Sequence, residues 1–193
     1  MKYTDTKNMI SKALENNSIP SYEKLISSEQ SFTPFFYTIV QMMKPEKVFE
    51  WGMGQSTSVW LFSDPNVLVT VHEEHQMWAD KFLKLIKEKD PQWLNRLDAR
   101  VWPHNPALAK EYMNPTDPDE TYDIVLVDGG GRANCMPQAE RIVKKGGVIF
   151  AHDTQYPNYF DSLNGALNPD IVDFVGTHTR NRCDTSIWVR KDN

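Results

Sequence analysis

The chain is 193 residues long, 40% hydrophobic and 24% charged, a length that fits one folding unit in the usual range of roughly 100–200 residues. Its 6 Trp, 7 Tyr and 9 Phe supply ample apolar surface for a core, which excludes general disorder. With 21 basic against 26 acidic residues the net charge is −5, and a nucleic-acid footprint, which should be basic overall or carry a basic stripe, is not expected.

The first elements read as helices, one short helix over Lys7–Asn16 and another over Thr33–Met43. The second puts Phe32, Phe35, Phe36, Ile39, Val40 and Met43 on one face; Pro34 sits near its start and Pro45 ends it. Past Pro45 the period changes. Lys47–Trp51 is a short apolar run that stops at Gly52 and predicts a buried strand, with a helix over Ser56–Phe62 and a second strand over Val67–Val71. Trp78, Phe82, Leu85 and Ile86 mark a helix ending near Asp90-Pro91, and Ala99–Trp102 is a weaker third strand. A polar loop rich in Pro, Asn and Asp follows from Pro103 to Thr121.

Tyr122–Asp128 is the clearest strand, ended by Gly129-Gly130-Gly131. A helix around Met136–Lys144 leads through Gly146-Gly147 to the strand Val148–Ala151, and strands over Ile171–Val175 and Ser186–Val189 could form an antiparallel hairpin. Seven strands alternating with helices, most of them nearly continuous in apolar residues, indicate an α/β fold with a mostly parallel sheet covered on both faces. Ligands of such folds sit at the carboxyl ends of strands, which directs attention to Glu50, Val71, Asp128 and Ala151.

No apolar stretch approaches the roughly 20 residues of a membrane span, so no membrane partner is expected. Met1–Asp5 has no apolar segment behind it, so no signal peptide is expected and a reducing, cytoplasmic compartment is the default. Cys135 and Cys183 could pair, but a chain of this length needs no staple, and neither CxxC nor HExxH occurs to suggest structural zinc.

The chemistry concentrates in Glu50-Trp51-Gly52-Met53-Gly54-Gln55-Ser56-Thr57. Two glycines one residue apart let backbone approach a ligand, and the following helix offers free N–H groups, although a tight strand-to-helix turn could use the same glycines with no ligand. Glu73 follows Gly52 by about 20 residues, the spacing of a carboxylate that accepts from two ribose hydroxyls. Its neighbour Glu74 is an alternative, and both could simply be helix-start acids favoured by the dipole.

Together with His72-Glu73-Glu74-His75, Tyr122–Gly129 and Gly146–Asp153, this segment resembles the ordered motifs of class I S-adenosylmethionine-dependent methyltransferases over roughly residues 45 to 190. The resemblance implies a Rossmann-like, doubly wound, mostly parallel seven-stranded sheet with an antiparallel C-terminal strand. The whole chain would be one such domain, with residues 1–44 as an N-terminal helical cap on a core of residues 45–193. It implies S-adenosylmethionine bound by Glu50, Gly52, Gly54, Ser56, Thr57, Glu73 and Asp128. It also implies methyl transfer to an oxygen of a small molecule or sugar.

Asp128, His152 and Asp153 lie at the ends of strands expected to be adjacent and are the expected catalytic group. Asp128 and Asp153 could hold a divalent ion such as Mg²⁺; without one, His152 is the natural general base. Asp153 or Thr154 could instead cap the next helix. Arg132 could clamp a substrate anion or be a surface residue, Trp102 could stack on adenine or belong to the core, and Cys135 should pack. Two other classes stay open, a cofactor-binding or non-catalytic interaction module and a nicotinamide-dependent oxidoreductase. The second lacks the third fingerprint glycine, since Thr57 stands there.

Overall fold

The computed structural model describes residues 1–15, 33–102, 109–156, 158–180 and 183–193. Asn16, Phe32, His104 and Asn105 lie outside the described residues. The chain begins with α1 (Tyr3–Glu15) and α2 (Thr33–Met43), followed by β1 (Lys47–Trp51), α3 (Gln55–Ser63), β2 (Leu68–Glu73) and α4 (Gln76–Lys89). A 3₁₀ turn (Pro91–Arg96) leads into β3 (Leu97–Val101). Then come α5 (Ala109–Met113), β4 (Tyr122–Val127), α6 (Arg132–Ile142), β5 (Val143–His152), α7 (Tyr159–Gly165), β6 (Val172–Arg180) and β7 (Cys183–Arg190).

The seven strands form one sheet in the order β3-β2-β1-β4-β5-β7-β6. All neighbours pair in parallel until β7, which runs antiparallel to both β5 and β6. The chain walks outward from β1 to β3, then returns to β4 on the other side of β1. That reversal makes the carboxyl ends of β1 and β4 the switch point, where no crossover helix covers the sheet edge.

Strand parity assigns each residue a layer. Val48, Ile124, Leu126, Val148 and Phe150 face a cluster that includes Phe36, Ile39, Val59 and Trp60. Phe49, Trp51, Val125, Val127 and Ile149 face the opposite cluster with Met136, Ala139 and Leu163. Trp60, Phe36 and Phe150 meet with centroids 4.7–5.0 Å apart, and burying each such ring contributes roughly 1.5–3 kcal/mol. The same parity puts Glu50 on the Val48 face, directly beneath α3.

Several boundaries differ from the sequence reading. The helix expected from Met136 starts one turn earlier, at Arg132, and ends at Ile142 before Lys144. The reason is Gly131, whose φ of 63° is a left-handed start that the glycine run permits. Gly146 and Gly147 lie inside β5 rather than before it, at an irregular register with β4. A side chain at Gly146 would strike the Met1 carbonyl, because α1 packs over this strand and Thr6 Oγ1 donates to the Gly146 carbonyl at 2.6 Å. Helix α5 lies where no helix was expected, and the helix after β5 starts only at Tyr159, past the Asp153-Thr154 cap position; with five and seven residues both are too short for periodicity to show. No helix among the described residues is long and apolar enough to cross a membrane.

Candidate functional site

The turn after β1 is stitched to its neighbours by backbone. The Gly52 N–H donates to the His72 carbonyl at 2.8 Å, and the Asp128 N–H donates to the Trp51 carbonyl at 3.0 Å. Gly52 has φ 93°, and a Cβ there would lie 2.8 Å from the Gly129 nitrogen, so the turns after β1 and β4 touch backbone to backbone. Gly54 differs. Its φ of −167° is ordinary extended backbone, and a Cβ there would find open space, with Ser56 Oγ nearest at 3.9 Å.

The Glu73 carboxylate braces this turn. It accepts from the Met53 N–H at 2.7 Å and the His75 N–H at 2.8 Å, tying the turn after β1 to the start of α4. Burial pushes its carboxyl above the usual range, while those amides pull it down. Trp78 Nε1 donates to the Met53 carbonyl at 2.5 Å and closes the same loop from α4. Glu50 is fully buried, receiving hydrogen bonds from the Ser56 and Thr57 hydroxyls on α3, the latter at 2.7 Å. Burial raises its pKa to about 8 against the pull of those hydroxyls, with Asp128 and Glu73 adding repulsion.

Two clefts open on this edge. The larger, about 690 Å³, is lined by Gly52, Gly54, Gln55, Ser56, Glu73, Glu74, Trp78 and Asp128 among others. The smaller, about 570 Å³, is lined by Asp153, Tyr156, Asn158 and Tyr159. Gly129, Gly130 and Arg132 belong to both and form the wall between them. A Cβ at Gly129 would collide with the Tyr112 hydroxyl and crowd the Gly52 backbone nitrogen, while one at Gly130 would displace the Glu74 carboxylate.

Asp128 and Asp153 do converge, because β4 and β5 pair in parallel with Val127 opposite Ala151. Burial pushes the Asp128 carboxyl up to about 7, Arg132 opposing the rise and Asp153 adding to it. Arg132 stands between the two acids, its Nη2 3.1 Å from Asp128 Oδ1 and 3.2 Å from Asp153 Oδ2. At 14% side-chain exposure it is not the surface arginine that the sequence allowed. The place between the carboxylates is filled by a cation the chain supplies, so an Mg²⁺ ion bridging Asp128 and Asp153 does not fit these residues.

His152 turns inward. Its Nδ1 lies 2.9 Å from Thr185 Oγ1 on β7, its Nε2 is 3.7 Å from Asp153 Oδ1, and it lines neither cleft. Burial lowers its pKa, which keeps the ring neutral at physiological pH. Asp153 caps no helix, for the residue at the N-cap of α7 is Asn158. Thr154 bonds Ser186 instead, at 2.8 Å. His152, Asp153 and Cys183 bring their ligand atoms within 4.8 Å of one another, a group that leaves out Asp128.

Of the residues expected at the cofactor, Gly52, Gly54, Ser56, Glu73 and Asp128 line the larger cleft, while Glu50 and Thr57 lie behind it. Trp102 packs on the buried His72 ring at 4.2 Å, and His72 itself, held near pKa 4 by burial, is a core histidine. Cys135 is buried in the core, as its helix position suggested. The sequence reading missed Gln55, Trp78, Tyr156 and Tyr159. Gln55 alone carried a local signal, since it follows the Gly52-x-Gly54 turn as the first residue of α3.

No protein-family model matches the chain, and no curated protein matches it in sequence. Solved structures do. One from Staphylococcus aureus, proposed to be a caffeoyl-CoA O-methyltransferase, superposes with a TM-score of 0.67 at 12% identity, over 97% of this chain and 99% of that one. Rv0187 from MTB, solved with a cofactor bound, gives 0.65 at 16% identity over 98% and 91%. A protein from Klebsiella pneumoniae, proposed to be an O-methyltransferase, gives 0.65 at 12% identity over 96% and 90%. The chain has the class I methyltransferase fold. At these identities the likeness is one of architecture. Within that methyltransferase fold, the two clefts flank the β1–β4 switch point, the edge where the sequence placed its candidate ligands.

Proposed function

We propose that the chain is an S-adenosylmethionine-dependent methyltransferase that acts on an oxygen nucleophile of a small molecule or sugar held in the smaller cleft. The observation that carries this reading is the pairing of an acid-lined cradle with a second cleft across a wall of two glycines and Arg132. Glu73, Glu74 and Asp128 line the cradle against Lys81, and Arg132 is already paired with Asp128 and Asp153, so on balance the surface favours a cationic ligand. S-adenosylmethionine is such a ligand, and bound there it supplies an electrophilic methyl whose transfer needs little activation. A dinucleotide would instead bring phosphates against the same acids, which weighs against the nicotinamide alternative.

The cradle has the features a bound cofactor calls for. Gly54 leaves space that any side chain would fill, and Gln55 Oε1 is buried with no hydrogen-bond partner among the described residues. The first N–H groups of α3 would receive the cofactor's carboxylate, and Glu73 would offer ribose hydroxyls the lone pairs left over from the amides it already holds. Across the wall, Asp153 orients the nucleophile's proton. Asp153 also accepts that proton, with His152 behind it and outside both clefts, its Nδ1 2.9 Å from Thr185 Oγ1 and its Nε2 3.7 Å from Asp153 Oδ1.

Calorimetric titration with S-adenosylhomocysteine and, separately, NAD⁺ tests the reading. Micromolar-range binding of the first and no heat from the second is expected. Heat from NAD⁺ alone, or from neither at millimolar ligand, refutes it. Binding without transfer to any of a panel of small hydroxylated acceptors moves the chain to the binding-module class.

A further inference from the structure

The segment Asp128-Gly129-Gly130-Gly131-Arg132 joins the end of β4 to the start of α6. Its glycines, with Gly131 left-handed, fold Arg132 back over the strand ends. The guanidinium then meets backbone and carboxylates together. Nε donates to the Gly129 carbonyl at 3.0 Å, Nη1 to the His152 carbonyl at 2.7 Å, and Nη2 to the Asp128 carbonyl at 2.8 Å. Nη2 also reaches both carboxylates, at 3.1 and 3.2 Å, and Nη1 reaches Asp153 Oδ2 at 3.2 Å. Every nitrogen of the fork is engaged, which leaves no donor pointed at a ligand.

We propose that Arg132 is the resident cation of this site, holding the position between the Asp128 and Asp153 carboxylates that a divalent metal ion would otherwise take and aligning the ends of β4 and β5 without one.

Two carboxylates drawn together at paired strand ends either hold a proton or take a positive charge between them, and here the guanidinium lies within 3.2 Å of both. A planar, permanently charged fork can hold both acids and the flanking carbonyls at once, which a bare point charge cannot. An ion bridging the two acids would sit about 2.0–2.2 Å from each oxygen and be pressed against the nitrogen already there. The same charge disfavours a divalent ion at His152, Asp153 and Cys183, since Asp153 is its partner. Positioning is the role assigned: Arg132 acts through Asp128 and Asp153, not on the reacting atoms.

The test is uptake of Mn²⁺, followed by loss of the free-ion electron paramagnetic resonance signal, in the full chain without cofactor or acceptor. A failed transfer assay therefore leaves it untouched. Wild-type protein is expected to leave the signal unchanged at millimolar Mn²⁺. Arg132→Ala, folded by circular dichroism, is expected to bind one ion at least tenfold more tightly than wild type, and adding Asp128→Asn should abolish that gain. Uptake by wild type that Asp128→Asn removes overturns the proposal, as does a folded Arg132→Ala that takes up no ion. Where Arg132→Ala does not fold in plain buffer, its refolding is read in millimolar Mg²⁺ and in guanidinium ion at the same concentration. Recovery with either cation supports the assignment; recovery with neither overturns it.

Discussion

Two glycines two residues apart should behave in opposite ways. Gly52 has φ 93° and no room for a Cβ, which would lie 2.8 and 2.9 Å from the backbone of Gly129. The dihedral alone costs about 1–3 kcal/mol for an alanine, and separating the touching turns adds to it. For a chain of this size 1 kcal/mol lowers Tm by about 2–4 °C, so Gly52→Ala should lose roughly 5–10 °C. Gly54 is extended and its Cβ position is open, so Gly54→Val costs only an N-cap preference of about 1 kcal/mol or less. The valine would, however, project into the space proposed for the cofactor, and S-adenosylhomocysteine affinity should fall at least tenfold, about 1.4 kcal/mol. Differential scanning fluorimetry and calorimetric titration on the two variants give the four numbers needed. A Gly54→Val protein that binds like wild type refutes the cradle. A Gly52→Ala protein as stable as wild type refutes the backbone contact between the turns.

Burial raises the Glu50 carboxyl from its ordinary value of 4.5 to about 8 in the folded protein, so the unfolded chain releases this proton first. Stability from the protonated form is thus fully present below about 4.5 and lost as pH rises toward 8. Urea unfolding should show Glu50→Gln gaining on wild type by on the order of 3 kcal/mol between pH 4.5 and 7, and a pH-independent difference sinks the account. Glu73→Ala should destabilise the fold by about 2–4 kcal/mol, because the Met53 and His75 amides lose their acceptor. Glu73→Gln keeps one acceptor and should unfold closer to wild type while still weakening S-adenosylhomocysteine; equal unfolding midpoints for the two would contradict the bracing role. Asp153→Asn should leave cofactor affinity within about twofold and lower turnover at least tenfold once an acceptor is known, whereas unchanged turnover removes Asp153 from the proton path.

The local pattern carried much of the architecture. Apolar runs at Lys47–Trp51, Tyr122–Val127 and Val148–Ala151, each followed by glycine or a polar residue, located three parallel strands and their ligand edge because strand burial writes itself into consecutive residues. The Gly52-x-Gly54 turn and Glu73 were legible for the same reason, being features of one loop and one strand end. What the sequence could not settle were side-chain directions that depend on pairing and parity together. Glu50 faces α3 instead of the cleft, and His152 faces Thr185 on β7, a partner 33 residues away. The three carbonyls and two carboxylates that Arg132 meets come from two strand ends, and nothing local distinguishes that arginine from a solvated one. Tyr159 entered the smaller cleft on a seven-residue helix too short to announce itself, and Tyr156 on the turn before it. Periodicity reports which face of an element is buried. Which atoms meet across the sheet edge is decided only when β4, β5 and β7 come together, since contacts between distant segments leave no repeat in the chain.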